Sequence, residues 1–380
     1  MKSGWEMATL GEVCHVYQPQ TLAQKALSQG PYPVFGANGQ IGWHSEFNHE
    51  NEELVLGCRG SVGSVHVTPR KTWINGNAMV VRPKDSRISI ELLKYAFLGG
   101  IKISDAISGT AQPQITRTSL SPLTICFPTA KAEQYQLTKK LDKAFAGLAK
   151  AKENAEKNLQ NARALFESNL ESVFTRRGPG WVETQLSNVC ERLHQGLNTA
   201  GEKVKFYNDG YPIIQTRNIE EGVVDLDNKI KFMCEKDWQN YKDKFRPELG
   251  DVFFTNIGTI GKTAIVTEDR DYLIHWNIFK LRPRFNQVTS EFLRYTLEFL
   301  TLSGYFAKMQ KGGTVDFVTK KMISEALIYL PSIAEQKEIA AIYDALRKET
   351  QRLARLYEQK LEALESFKKS ILHEAFTGNL

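Results

Sequence analysis

Three stretches of the chain have residue types and spacing that could do chemistry. GTIGKT at 258–263 ends like a phosphate-binding loop, in which backbone N–H groups cradle phosphate and a lysine reaches it. The full pattern G-x-x-x-x-G-K-[ST] needs glycine at position 256, and the chain has Asn256 there. The matching GSVGSV at 60–65 has no lysine, so a turn built twice is expected rather than a nucleotide site. FGANGQIG at 35–42 is glycine-rich but departs from G-x-G-x-x-G, and no long helix follows it. Five cysteines (Cys14, Cys58, Cys126, Cys190, Cys234) never form C-x-x-C, and the seven histidines do not join cysteines or acids at metal-ligand spacing. H-E-x-x-H is absent, and so are an Asn/Asp-Pro-Pro-aromatic tetrapeptide and a convincing acid-acid-lysine cluster. No catalytic constellation supports an enzyme, and no metal is expected.

What remains suits recognition. SGTAQPQITRTSL at 108–120 is polar, with Gln112 and Gln114 flanking Pro113 and Arg117 close by. Gln can bond bidentately to adenine and Arg to guanine in a major groove, while Thr methyls can touch thymine. KMQKGGTVDFVTKK at 308–321 holds the same place in the second half, and its lysines suit phosphate contacts that position without reading sequence. Solvated loops are the plain alternative for both.

These stretches are positioned by a chain written twice. Trp5, Leu10, Val13 and Cys14 recur as Trp181, Leu186, Val189 and Cys190 at an offset of 176. YPVF at 32–35 matches YPII at 211–214, RGSVG at 59–63 matches IGTIG at 257–261, and NAMVVRP at 77–83 matches NIFKLRP at 277–283. Glu133-Gln134 matches Glu335-Gln336, and Phe174 matches Phe376, both at 202. The offset grows by 26 along the first part of each half, 19 of it between YPVF and RGSVG, then stays constant. Adaptable modules joined to spacers of fixed length explain that drift.

The spacers read as helices. Leu137, Leu141, Ala144, Leu148, Ala151, Ala155, Leu159, Ala162, Phe166, Leu170 and Val173 fall at steps of three or four, the spacing of one helical stripe. The second copy gives Ile339, Ile342, Leu346, Leu353, Tyr357, Leu361, Leu364 and Ile371. Ser332-Ile-Ala-Glu335 has the form of a capping box. Stripes of this length need a partner: the other copy, as a coiled-coil pair, or else each helix's own module. The modules read as α/β (α+β), with short strands at 53–58, 64–68, 77–82, 251–255, 263–267 and 278–282. Helices follow at 90–98 and 290–300, capped by Ser89 and Thr289. The expected organisation is a recognition module at 1–130, a spacer helix at 131–176, a second module at 177–333 and a second helix at 334–380.

Composition sets bounds on this reading. The chain has 380 residues, 42% hydrophobic and 24% charged, which excludes a wholly disordered or collagen-like chain. A net charge of +6 permits a polyanion partner. No run reaches the ~18 apolar residues of a membrane span, and MKSGWEMATLGEV lacks a signal-peptide core. With unpaired cysteines, a reducing cytoplasm is the expected location.

GTAQPQI at 109–115, the P-x-x-x-E-Q lead-in to a long helix, ILHEAFTGNL at 371–380 and the twofold plan together resemble type I restriction-modification specificity subunits. The resemblance covers essentially the whole chain. It implies two target recognition domains, each reading one half of a split double-stranded DNA site. It implies long helices forming an antiparallel coiled coil that sets the half-site spacing. It further implies two modification subunits carrying S-adenosylmethionine, and restriction subunits using ATP and Mg, with no cofactor on this chain. The second half departs from the pattern by lacking AQP, reading GGTVDFV at 312–318. Residues favoured for DNA contact are Arg59, Ser61, Lys71, Asn75, Thr110, Gln112, Gln114 and Arg117 in the first half. In the second they are Arg217, Asn256, Thr259, Lys262, Lys311, Thr314 and Lys320. Trp5 and Trp181 read as core anchors. A self-contained DNA methyltransferase or nuclease, or a coiled-coil scaffold without DNA contact, are the alternatives.

Overall fold

A computed structural model describes residues 2–23, 25, 27–220, 222–309 and 317–380. The chain divides into two compact units, residues 1–157 with 357–380, and residues 158–356.

The first unit is built on a four-stranded antiparallel sheet in the order Cys14–Tyr17, Ala78–Pro83, Leu54–Gly57, Val65–Val67. Leu54, Val55 and Leu56 are all buried, the pattern of a strand covered on both faces. A smaller sheet pairs Tyr32–Gly36 with Gly39–His44 antiparallel and with Trp73–Ile74 in parallel. Trp5–Thr9 pairs antiparallel with Thr124–Pro128. The helix Ile90–Tyr95 begins at Ser89, whose hydroxyl accepts from Leu92 N, and continues into a π-turn at Ala96–Gly100.

The second unit repeats this topology. Its four-stranded sheet runs Cys190–Gln195, Ile278–Pro283, Val252–Thr255, Thr263–Ile265. Lys231–Met233, Tyr211–Ile214 and Leu273–Ile274 form the smaller sheet, again with one parallel pair. Val182–Gln185 pairs with Leu327–Leu330. Thr289 caps the helix Ser290–Leu302 through Phe292 N. The helix Glu235–Phe245 lies where the second copy gains its extra residues, and Tyr211 stacks on its Trp238 at 4.6 Å.

Both long helices are present, at Lys131–Arg176 and Ile333–Thr377. Within the first unit they run antiparallel: Lys368 lies over the Phe145 ring at 5.7 Å, and Glu365 meets Lys152 at 3.1 Å. Within the second unit, Arg347 lies over Phe166 at 4.3 Å and Tyr343 donates to the Asn169 carbonyl at 3.0 Å, the same antiparallel sense. The two pairings weighed from sequence coexist. Leu137 and Leu141 of the first helix enter the first unit's core, while its Leu170 and Phe174 enter the second unit's core. Leu372 and Phe376 of the second helix complete the first core in turn, and its Ala340 and Tyr343 lie in the second. Each hydrophobic core is therefore closed by a helix end that arrives from the other half of the sequence. Gly99 and Gly100 permit this approach: a Cβ on Gly100 would sit 2.5 Å from the Phe376 ring, and one on Gly99 2.7 Å from Leu372 Cδ1.

Two details depart from expectation. Ile342 is 62% exposed, and its neighbour Tyr343 takes the inward position. The run Ile339, Ala340, Tyr343 and Leu346 keeps helical spacing with a tyrosine that sequence periodicity undervalues. In the Ser332 box, the hydroxyl accepts from Glu335 N at 3.3 Å, but the Glu335 carboxylate accepts from Trp181 Nε1. One arm of the box serves the domain instead of the helix end.

Candidate nucleic-acid interface

The interface begins at a turn made twice. Gly60 and Gly63 take φ of 76° and 85°, and Gly258 and Gly261 take 78° and 88°. These are left-handed conformations that glycine adopts without steric penalty. Gly63 N donates to Gly57 O, and Gly261 N to Thr255 O, both at 2.9 Å. In the second unit Thr255 locks the turn, its hydroxyl donating to Thr259 O at 2.6 Å and accepting from Lys262 N at 2.9 Å. GTIGKT is thus a loop closed between Thr255 and Lys262. Lys262 points its ammonium to within 3.6 Å of Glu220.

A second loop is fastened to each turn. Ile115 N donates to Cys58 O at 3.0 Å and Arg59 bridges Gln114; Val318 N donates to Asn256 O at 2.8 Å and Ile257 bridges Phe317. In the first unit the attached loop is a hairpin of Ile107–Ser108 with Gln114–Ile115, and Thr110 and Gln112 lie exposed between its strands. Thr116 then caps the turn Arg117–Leu120, accepting from Ser119 N at 3.1 Å and leaving Arg117 exposed. Arg59, Ser61, Thr110, Gln112, Gln114 and Arg117 are therefore gathered on one loop pair.

Two of the expected first-half residues stand elsewhere. Asn75 is buried, donating to Leu22 O at 2.8 Å and accepting from Leu22 N at 3.2 Å. It ties two backbone segments together. Lys71 is exposed but sits at the far end of the strand Trp73–Ile74, with its ammonium 5.8 Å over Phe47.

In the second unit, Thr259 and Lys262 occupy the turn, and exposed Lys320 opens the helix Lys320–Ser324 after Thr319. Asn256 is buried beneath them, with its N–H on Asn277 O at 3.1 Å. Arg217 is exposed in the turn Thr216–Asn218, whose Asn218 accepts from Gln215 N and donates to Asn228 O, away from the loop pair. Lys311 and Thr314 lie outside the described residues.

Some positioning residues escaped the sequence reading. His275 holds the root of the second turn, bonding Asn277 at 2.9 Å and Thr199 at 3.1 Å. Burial above all keeps its imidazole below the usual histidine range. The Glu-Gln pair has a structural meaning in both copies. Trp5 donates to Glu133 at 3.0 Å, and Trp181 to Glu335 at 2.9 Å. Gln134 accepts from Ser89 N and donates to Pro128 O, while Gln336 accepts from Thr289 N and donates to Pro331 O. Its recurrence in the first turn of each long helix was the available signal.

Burial pushes the thiols of Cys14 and Cys190 up to about 12, which leaves them unreactive. Among the described residues no group of three histidines, cysteines or acids is arranged to hold a metal, and no helix is long and apolar enough to cross a membrane.

The duplicated architecture has a counterpart among known families. Residues 2–158 and 179–364 match the type I restriction modification DNA specificity domain. The chain belongs to this family. As a family member it is a DNA-recognition subunit and not a catalyst. It is 23% identical over 355 residues to the type I restriction enzyme EcoBI specificity subunit of Escherichia coli, covering 87% of this chain and 74% of that one. A putative specificity subunit of Haemophilus influenzae is 22% identical, covering 83% and 80% respectively. The fold matches the HsdS subunit of Thermoanaerobacter tengcongensis with a TM-score of 0.59 at 18% identity, over 100% of this chain and 98% of that one. A chain from a structural study of assembly and conformational transition in the type I R-M system matches with a TM-score of 0.77 at 18% identity, over 100% and 99%.

Proposed function

We propose that this specificity subunit reads a bipartite duplex through its two loop pairs. The first pair joins 59–63 to 109–117, and the second joins 257–262 to 317–320. Recognition modules at 1–130 and 177–333 each take one half-site, and the helices at 131–176 and 334–380 set the number of base pairs between them. Two modification subunits dock on this scaffold and bring S-adenosylmethionine, and restriction subunits bring ATP and Mg. The observation that carries the reading is the double construction, with Arg59 bridged to Gln114 and Ile257 bridged to Phe317 at equivalent turns.

Within the first loop pair, Gln112, Gln114 and Arg117 have the side chains for bidentate base contact, and Arg59 suits either base or phosphate. Lys262 and Lys320 suit phosphate. The test is to replace residues 1–130 with the equivalent part of a relative of different specificity and to sequence the methylome. One half of the methylated site changes and the other is kept. A change in both halves overturns the two-reader assignment.

A further inference from the structure

Two tetrapeptides of the second unit stand apart from its loop pair: Lys203-Val-Lys-Phe206 and Lys229-Ile-Lys-Phe232. They share the order K-x-K-F, which also occurs at 242–245 inside the helix Glu235–Phe245, and the fold brings these two side by side. Tyr207 N donates to Phe232 O at 2.9 Å, and the two residues form an antiparallel bridge. The leading lysine of each, Lys203 and Lys229, has a left-handed backbone, with φ of 55° and 52°. Residues other than glycine rarely take this conformation, so the same turn has been built twice at some cost.

The surface so formed is basic and aromatic. Lys203, Lys205 and Lys229 are exposed, and half-buried Lys231 rests its ammonium over the Phe206 ring at 4.4 Å. Phe206 is 37% and Tyr207 47% exposed. Neighbouring acids are engaged elsewhere. Glu202 accepts from Tyr241 at 3.0 Å, Asp225 accepts from the N–H groups of Asp227 and Asn228, and Asp227 faces Arg270 at 3.8 Å. Among the described residues no carboxylate lies within ion-pair distance of Lys203, Lys205, Lys229 or Lys231, so their ammonium groups face solvent without a paired acid.

A run of hydrogen bonds connects this surface to the reading turn. Val204 N donates to Thr199 O at 2.9 Å, and Thr199 Oγ1 meets His275 Nε2 at 3.1 Å. His275 Nδ1 meets Asn277 at 2.9 Å, and Asn277 O accepts from Asn256 N at 3.1 Å, directly before the turn. The corresponding stretch of the first half, 21–31, has Lys25 as its only lysine. The feature belongs to the second unit alone.

We infer that the paired K-x-K-F segments form a phosphate clamp beside the second loop pair, with the four lysines neutralising backbone phosphates that flank the bases read there. Lysine presents a compact point charge on a flexible stem, which suits phosphate and carries no base code. Phe206 holds the Lys231 ammonium in place by cation–π attraction. The clamp rests on the DNA reading proposed above and adds the part of the surface that supplies affinity without sequence.

The experiment uses the chain assembled with its modification subunits and measures duplex affinity against salt. Each phosphate contact contributes about 0.9 to the slope of log K on log salt. The variant K203Q/K205Q/K229Q/K231Q is expected to lower that slope by about two to four. It should weaken specific and nonspecific duplexes alike and keep the methylated sequence unchanged. The matching Lys→Arg variant keeps the wild-type slope. If the fourfold variant fails to assemble, K203Q/K205Q and K229Q/K231Q are tested separately, each with a drop of about one to two. A slope changed by less than one, or an altered methylated sequence, overturns the clamp. Absence of salt-dependent duplex binding by the wild-type complex would instead overturn the underlying DNA reading, so the two failures are distinguishable.

Discussion

Trp181 donates its indole N–H to the Glu335 carboxylate at 2.9 Å, joining the residue before the strand Val182–Gln185 to the start of the second long helix. Trp5 and Glu133 make the same bond at 3.0 Å, but Glu133 also has the Lys2 ammonium at 3.4 Å. The two copies therefore differ in what a lost indole leaves behind. Trp181→Phe keeps an aromatic ring against Phe174 and Phe292, whose centroids lie 6.0 and 5.9 Å away, while removing the donor. A hydrogen bond to a charged group contributes about 1.5–3 kcal/mol. Urea unfolding should show Trp181→Phe losing stability by about that amount, and Trp5→Phe losing less because Lys2 remains. Equal losses would show that the second partner of Glu133 contributes nothing.

Gly100 tests the core closed by the other half's helix. Its Cβ would stand 2.5 Å from the Phe376 ring, which is packed and cannot withdraw without opening the core. Gly100→Ala is expected to destabilise the first unit by about 1–3 kcal/mol, the scale of overpacking. Truncating the ring should relieve the clash, so adding Phe376→Leu to Gly100→Ala gives less than the sum of the two single losses. Strict additivity, measured as a double-mutant cycle in denaturant unfolding, would separate Gly100 from Phe376.

Much of this arrangement was legible in the sequence, and the exceptions have physical causes. Strands at Leu54–Gly57, Ala78–Pro83, Val252–Thr255 and Ile278–Pro283 fall within a residue or so of expectation, because short apolar runs between glycine turns leave little choice. Both long helices were read from their stripes. The helix Glu235–Phe245 was not, since its buried contacts are only Trp238 and Phe245 amid charged residues. Asn75 and Asn256 look like surface amides in sequence, but sequence cannot show that they satisfy backbone at the root of a turn. Circular closure was legible as repeat arithmetic: Phe174 and Phe376 correspond, and each lies in a core begun by the other half.

Acid should loosen the second reading turn. His49, His194 and His275 all titrate below the usual histidine value near 6.5, with burial the first cause in each. For a base with a depressed pKa the folded state binds fewer protons than the unfolded chain. Its contribution is present above about 6.5 and is lost as pH falls from there through the folded pKa. Stability should therefore drop between pH 7.5 and 5.5. His275→Gln, which retains a polar group beside Thr199 and Asn277, should show a smaller drop over that range. An identical drop in wild type and variant, followed by urea unfolding, would assign the pH dependence to other groups.

The last prediction concerns half-site spacing. If the paired helices act as the ruler, lengthening both by the same amount should lengthen the gap between half-sites without altering either half-sequence. Lys152 and Glu365 meet at 3.1 Å, which fixes where antiparallel insertions match. Seven residues placed between Lys152 and Glu153, with seven between Leu364 and Glu365, leave that ion pair intact. Seven residues advance a helix by about 10.5 Å and turn it by roughly 700°, within some 20° of two full turns, so the apolar stripe continues nearly in phase. At about 3.4 Å per base pair the added rise equals close to three base pairs. An insertion in one helix alone would leave the pair mismatched, and a slip of one stripe could absorb the change. The double insertion removes that escape. Methylome sequencing of cells carrying it should return both half-sequences separated by a gap about three base pairs longer. Robust methylation at the original gap would mean that helix length does not set the spacing.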